Sequence, residues 1–207
     1  MFLGTYNLPG AVTFTGLWLA LASCFWAIKG RIDLASVFLI WAGVCDLLDG
    51  PLARRRKSSA TENLFGAQID SLVDLVSFGV TPALCCFLLG LDRIWDYPFL
   101  ALYVSAAAMR LATFNTLKLA GRLQAGIFRG LPVTYAALVF PLAFLGGKLL
   151  TETTFLMVLR LVLAGMTVAF LLDVVVGKPS GKGYLCLLGL ALGLTLVWLG
   201  LVPGTPR

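Results

Sequence analysis

No histidine occurs among the 207 residues. A Ser-His-Asp triad, a histidine general base and a histidine-ligated zinc site are therefore excluded. Acid–base chemistry has to come from Asp, Glu, Lys, Tyr or Cys. Charge is scarce too: 13% of the residues are charged, against about a quarter in a soluble domain. With 59% hydrophobic residues and a mean hydropathy of +0.94, the chain has more apolar surface than one globular core can hide from water. An all-α polytopic membrane protein is expected, as a single domain over 1–207. The cysteines (Cys24, Cys45, Cys85, Cys86 and Cys186) are odd in number, lie inside apolar runs and have no CxxC spacing. They read as buried small hydrophobes. The first ten residues hold no Lys or Arg, so no cleaved signal peptide is expected. No segment repeats at a fixed period.

Apolar runs of about 17 to 22 residues mark membrane spans. They fall near 11–29, 34–53, 67–91, 97–117, 131–149, 154–176 and 184–202. None shows the period-2 alternation of a barrel strand, so helices are expected. Seven spans put the loops 54–66, 118–130 and 177–183 on the side of the N-terminus. These carry Arg54, Arg55, Arg56, Lys57, Lys118, Arg122, Arg129, Lys178 and Lys182. The opposite side carries Lys29, Arg31, Arg93, Lys148 and Arg207. The positive-inside rule then places the N-terminus and the Arg54 loop in the cytoplasm. The net charge of +6 points to anionic lipid at these loops. No nucleic-acid partner is expected, because the basic residues are spread between apolar spans.

Within this apolar background, Asp46, Asp49, Asp70 and Asp74 stand out. A charged side chain at mid-bilayer costs on the order of 3 kcal/mol or more. Asp46 and Asp49 are three apart near the end of the second span; Asp70 and Asp74 are four apart at the start of the third. Each pair shares a helix face, and a short connection makes the two spans antiparallel neighbours. Four facing carboxylates repel unless a cation neutralises them. Oxygen ligands without nitrogen or thiolate imply Mg2+, Mn2+ or Ca2+, and four carboxylates match the charge of two such ions. Two adjacent metals suit displacement at phosphorus. Gly50 and Gly66 let a ligand approach the backbone, and Arg54 carries a guanidinium suited to phosphate. A lone Arg54–Lys57 run would be an ordinary topology signal. The constellation Asp46, Asp49, Gly50, Ala53, Arg54, Gly66, Asp70 and Asp74 is not explained that way.

These residues resemble the signature of the CDP-alcohol phosphotransferase family, D-x2-D-G-x2-A-R-x(n)-G-x3-D-x3-D, over 46–74. The segments 65–84, 109–115, 128–142 and 178–183 are similar to one branch of it, the membrane-embedded phosphatidylserine synthases. The resemblance implies a core of six helices, here with one extra C-terminal span, often as a homodimer. It implies a polar cavity on the cytoplasmic side, CDP-diacylglycerol and L-serine as substrates, and phosphatidylserine and CMP as products. Two metal ions, Mg2+ or Mn2+, would be held by Asp46, Asp49, Asp70 and Asp74, with Asp74 also taking the serine proton. Gly50, Ala53, Arg54, Gly66 and Asn63 would line the CDP site. For the acceptor, the candidates are Arg110, a cation inside the fourth span, then Arg129, Lys118 and Asn115. The residues alone leave serine and glycerol 3-phosphate open, and inositol and choline are further acceptors within the family. A divalent-cation carrier is the reading from another class; it would leave Gly50 and Arg54 without a role.

Overall fold

The computed structural model describes residues 8–54, 59–121, 127–177 and 181–200. Helices α1 (Leu8–Ile28) and α2 (Ile32–Arg54) form an antiparallel hairpin. Its turn is set by Gly30, at φ 72°, a conformation only glycine adopts without steric cost. Gly30 N–H donates to Ala27 and Arg31 N–H to Trp26, the paired bonds of a Schellman stop. The hairpin closes tightly at Gly16, where a Cβ would lie 3.3 Å from Cys45 Cβ.

Helix α3 (Ala60–Asp74) continues through a π-helical segment, Leu75–Val80, into α4 (Thr81–Leu88). Its start is a capping box: Ser59 Oγ accepts from Glu62 N–H, and the Glu62 carboxylate accepts from Ser59 N–H. Helix α5 (Tyr97–Leu119) follows. Asp96, just before it, accepts two hydrogen bonds from Arg160, at 2.6 and 3.1 Å. Next come β1 (Ile127–Arg129), a 3-10 turn (Val133–Tyr135), α6 (Ala136–Phe144), α7 (Gly146–Leu149), α8 (Glu152–Leu171), β2 (Val175–Gly177) and α9 (Gly181–Gly200). The core lies where α5, α6 and α8 meet. There Tyr103 and Phe140 pack edge-on at 5.2 Å, with Leu159 and Leu163 fully buried beside them. The Trp198 indole donates to the Pro141 carbonyl and ties α9 to α6.

The protein is thus a helical polytopic membrane protein. Among the described residues, five helical segments are long and apolar enough to cross a membrane: Pro9–Ile28, Thr61–Leu88, Tyr97–Leu119, Glu152–Leu171 and Gly183–Gly200. A shorter apolar helical stretch covers Val133–Leu149. Helix α2 has the length of a span but carries Asp33, Asp46, Asp49 and Arg54.

The structure departs from the sequence expectations at three places. The third helix begins at Ala60, seven residues before the apolar run, because the capping box extends it into polar sequence. The fifth rod is broken into a 3-10 turn and two short helices. The sixth ends at Leu171, where the β-branched run Val174, Val175, Val176 turns extended. That run forms a ribbon with β1, pairing Ile127 with Gly177, Phe128 with Val176 and Arg129 with Val175.

The Asp96 ion pair gives stability a testable pH dependence. The Arg160 guanidinium bonded to Asp96 holds its carboxyl below the usual carboxylate range; burial opposes this and Arg93 N–H adds to it. A depressed folded value means that the stabilisation is complete above the unfolded value of about 3.9. It is lost as pH falls through the folded value. The difference in thermal midpoint between the wild type and Asp96→Asn, measured in detergent, should stay constant above about pH 5 and shrink toward pH 3.

Candidate active site

Helices α2 and α3 run antiparallel, so Asp49 and Asp70 come out at one level and Asp46 and Asp74 one turn deeper. Asp49 is close enough to Asp70, and Asp46 to Asp74, for each pair to share a proton. One carboxylate oxygen from each of Asp46, Asp49 and Asp70 lies within 4.8 Å of the other two. Asp49 and Asp74 are each only 8% exposed. Like charges this close need a shared proton or a bridging cation.

Two threonines fix the pairs from outside. Thr13 of α1 donates to Asp49 Oδ2 at 2.9 Å, and Thr134, in the 3-10 turn before α6, donates to Asp46 Oδ2 at 2.6 Å. Thr134 gets this close because Gly43 leaves room on α2: a Cβ there would lie 2.5 Å from Ala137 Cβ. The β1–β2 ribbon leads into the same turn, with Gly130 N–H donating to Val174 at 2.8 Å.

The carboxylates form one wall of a cavity of about 270 Å³. Arg110, Phe114 and Lys118 of α5 form the facing wall, and Ile40, Val44 and Leu187 make its apolar part. Arg110 is 8% exposed. Its guanidinium lies over the Phe114 ring at 5.3 Å and in the field of Asp74 and Asp46. Its Nε is buried without a hydrogen-bond partner. Lys118 acts electrostatically on Asp70.

The four aspartates, Gly50, Arg110 and Lys118 are therefore brought to one cavity. Asn115 stands one step behind it, donating 2.8 Å to Ser71, which is in the wall. Gly66 and Asn63 lie on the exposed first turns of α3, away from these walls. A Cβ on Gly66 would meet nothing within 4 Å. The backbone of Ala53 and Arg54 closes α2 and that of Arg129 ends β1; their side chains lie outside the described residues. Sequence reasoning missed Thr13, Thr134, Phe114 and Tyr184. The threonine hydroxyls sit in apolar runs, and nothing local shows that their partners are carboxylates on another helix.

The donors fit a hard divalent cation: three clustered carboxylates, a fourth close to one of them, and no nitrogen or sulfur. Residues 6–176 match the model of the CDP-alcohol phosphatidyltransferase family. The chain belongs to that family. It is 40% identical over 114 residues to the CDP-diacylglycerol–serine O-phosphatidyltransferase of Saccharomyces cerevisiae, covering 52% of this chain and 40% of that protein. The namesake from Mycobacterium bovis is 34% identical over 113 residues, covering 54% and 38%. The archaetidylserine synthase of Methanothermobacter thermautotrophicus is 33% identical over 122 residues, covering 58% and 50%. The chain thus spans half or less of the length of these relatives. Family membership and the apolar helices together make this an integral membrane protein.

Thr134→Val keeps the shape of the side chain and removes the hydrogen bond to Asp46. Loss of such a bond behind a ligand costs about 10-fold or more in metal affinity. A Mn2+ titration followed by electron paramagnetic resonance should show that weakening, with the thermal midpoint little changed.

Proposed function

We propose that this protein transfers the phosphatidyl group of CDP-diacylglycerol to the hydroxyl of L-serine, giving phosphatidylserine and CMP. The observation that carries this reading is the pairing of the four signature aspartates across α2 and α3, on the cavity wall facing Arg110. Family membership supports phosphatidyl transfer from a CDP-linked donor. The names of the relatives support serine: they differ in the lipid and share the amino acid.

In the reaction, the serine oxygen forms a bond to the lipid-side phosphorus, the bond from that phosphorus to CMP breaks, and the hydroxyl proton leaves. Asp46, Asp49, Asp70 and Asp74 would hold two ions, Mg2+ or Mn2+, which supply charge stabilisation for both oxygens of the displacement. Two divalent ions offset four carboxylates. Arg110 and Lys118 add positive charge to the same cavity. Gly50 offers bare helix surface to the donor; the family signature assigns Ala53, Arg54 and Gly66 to the CDP side, and Asn63, three residues before Gly66, joins them by its place next to that signature. Asp74 is the base, because it lies one turn deeper along its helix than Asp70 and needs to accept the proton only as the new bond forms. Little covalent chemistry is asked of the protein, so positioning and electrostatics dominate.

Arg110 is assigned to the serine carboxylate. Its unpartnered Nε has a donor to offer, and Phe114 holds the plane of the guanidinium. Lys118, Arg129 and Asn115 are the secondary acceptor residues. The cavity mouth, at the ends of α2 and α5, faces the cytoplasm in this reading, and the working form is a homodimer. Arg110 with Lys118 also suits the phosphate of glycerol 3-phosphate, which makes that the competing acceptor.

The test is metal-dependent release of CMP by the purified protein with CDP-diacylglycerol and a panel of acceptors. Serine should support turnover, and turnover with glycerol 3-phosphate in its place would overturn the acceptor. Asp74→Asn should lower kcat by about 100-fold or more. Arg110→Gln should raise the serine KM by roughly tenfold, about 1.4 kcal/mol, with kcat little changed.

A further inference from the structure

Ser77 follows Asp74 by three residues and lines the same small space beside the carboxylates. It is 1% exposed, and its Oγ is buried without a hydrogen-bond partner. A hydroxyl left unsatisfied in a buried site costs about 1–3 kcal/mol, and in a bilayer no bulk water relieves it. The usual escape for a helical serine is a bond to the carbonyl one turn back. Here the Ser77 hydroxyl makes no such bond, in a segment whose backbone is π-helical from Leu75 to Val80. Thr81 Oγ1 donates to the Val76 carbonyl at 3.0 Å, and the Tyr103 hydroxyl donates to the Phe78 carbonyl. Gly79 lets α5 press against this segment, with a Cβ there 3.4 Å from Ala107 Cβ.

A second, smaller space of about 10 Å³ adjoins the carboxylates and shares Asp46, Asp49 and Asp74 with the main cavity. Ser77, Thr13, Asp46, Asp49 and Asp74 line it, with Phe78 as part of its apolar floor. That volume is close to the least that holds one water, and a buried water needs two to four polar partners. The hydroxyl and the three carboxylates supply them.

We propose that Ser77 anchors one buried water beside the cluster, and that this water braces the carboxylates of Asp46, Asp49 and Asp74 from the Ser77 side. Ser77 is then a positioning residue that acts through solvent. The water site stands on the buried geometry; only its effect on turnover rests on the phosphatidyl-transfer reading.

The test compares the wild type with Ser77→Ala and Ser77→Thr. A structure at a resolution that shows ordered solvent should place a water among Ser77, Asp49 and Asp74 in the wild type and none in Ser77→Ala. Mn2+ titrated into substrate-free protein should bind about tenfold more weakly to Ser77→Ala, and Ser77→Thr, which keeps the hydroxyl, should restore most of the affinity. The kcat should fall with the affinity while the KM for the lipid donor holds. An empty or cation-filled position in the wild type would overturn the proposal. So would wild-type Mn2+ affinity in Ser77→Ala, or a loss in Ser77→Thr as large as in Ser77→Ala, which would mark a packing role. If the wild type released no CMP, the reaction would be wrong, while the solvent peak and the Mn2+ titration would still decide the role of Ser77.

Discussion

Everything in this molecule is arranged around the repulsion of four carboxylates held in one small space. Asp46, Asp49, Asp70 and Asp74 sit on two helices, and the antiparallel run of α2 and α3 sorts them into an outer and an inner pair. The surroundings answer the repulsion locally, with Thr13 and Thr134 as donors and Arg110 and Lys118 as counter-charges. A cluster of this kind needs a shared proton or a cation between its members, and its all-oxygen donor set suits a hard cation.

The bundle keeps that geometry by close approach at a few small residues. Gly16 lets α1 reach α2 and brings Thr13 to Asp49; Gly43 lets α6 reach α2 and brings Thr134 to Asp46. In a membrane, where apolar burial against lipid gives little drive to associate, packing at small residues is a main source of helix–helix contact. The same contacts that hold the bundle together therefore set the donors on the carboxylates. Stability and site geometry cannot be tuned independently here.

The last helix adds something that the family match does not cover. The match ends at residue 176, yet Tyr184, Leu187 and Ala191 of α9 complete the cavity wall. The span expected as an appendage to a six-helix core is part of the enclosure. The Trp198 bond to the Pro141 carbonyl holds it against α6, next to the turn that carries Thr134.

Sequence alone was enough for the helical membrane class, and it singled out the four aspartates and Gly50 that the fold brings to one cavity. Those signals are local: apolar run length, the absence of histidine, and carboxylates at three- and four-residue spacing, which helical geometry places on one face. Arg110 was legible for a related reason, since a cation inside an apolar run needs a partner wherever the chain goes. Tertiary structure decided the rest. It paired Asp46 with Asp74 and Asp49 with Asp70, chose the threonines that bond them, set Gly66 and Asn63 away from the cavity walls and brought α9 to it. It also paired Val175–Gly177 with Ile127–Arg129, where an unbroken sixth span was expected. Each of these depends on which surfaces meet between segments far apart in the chain, and no spacing within one segment encodes that.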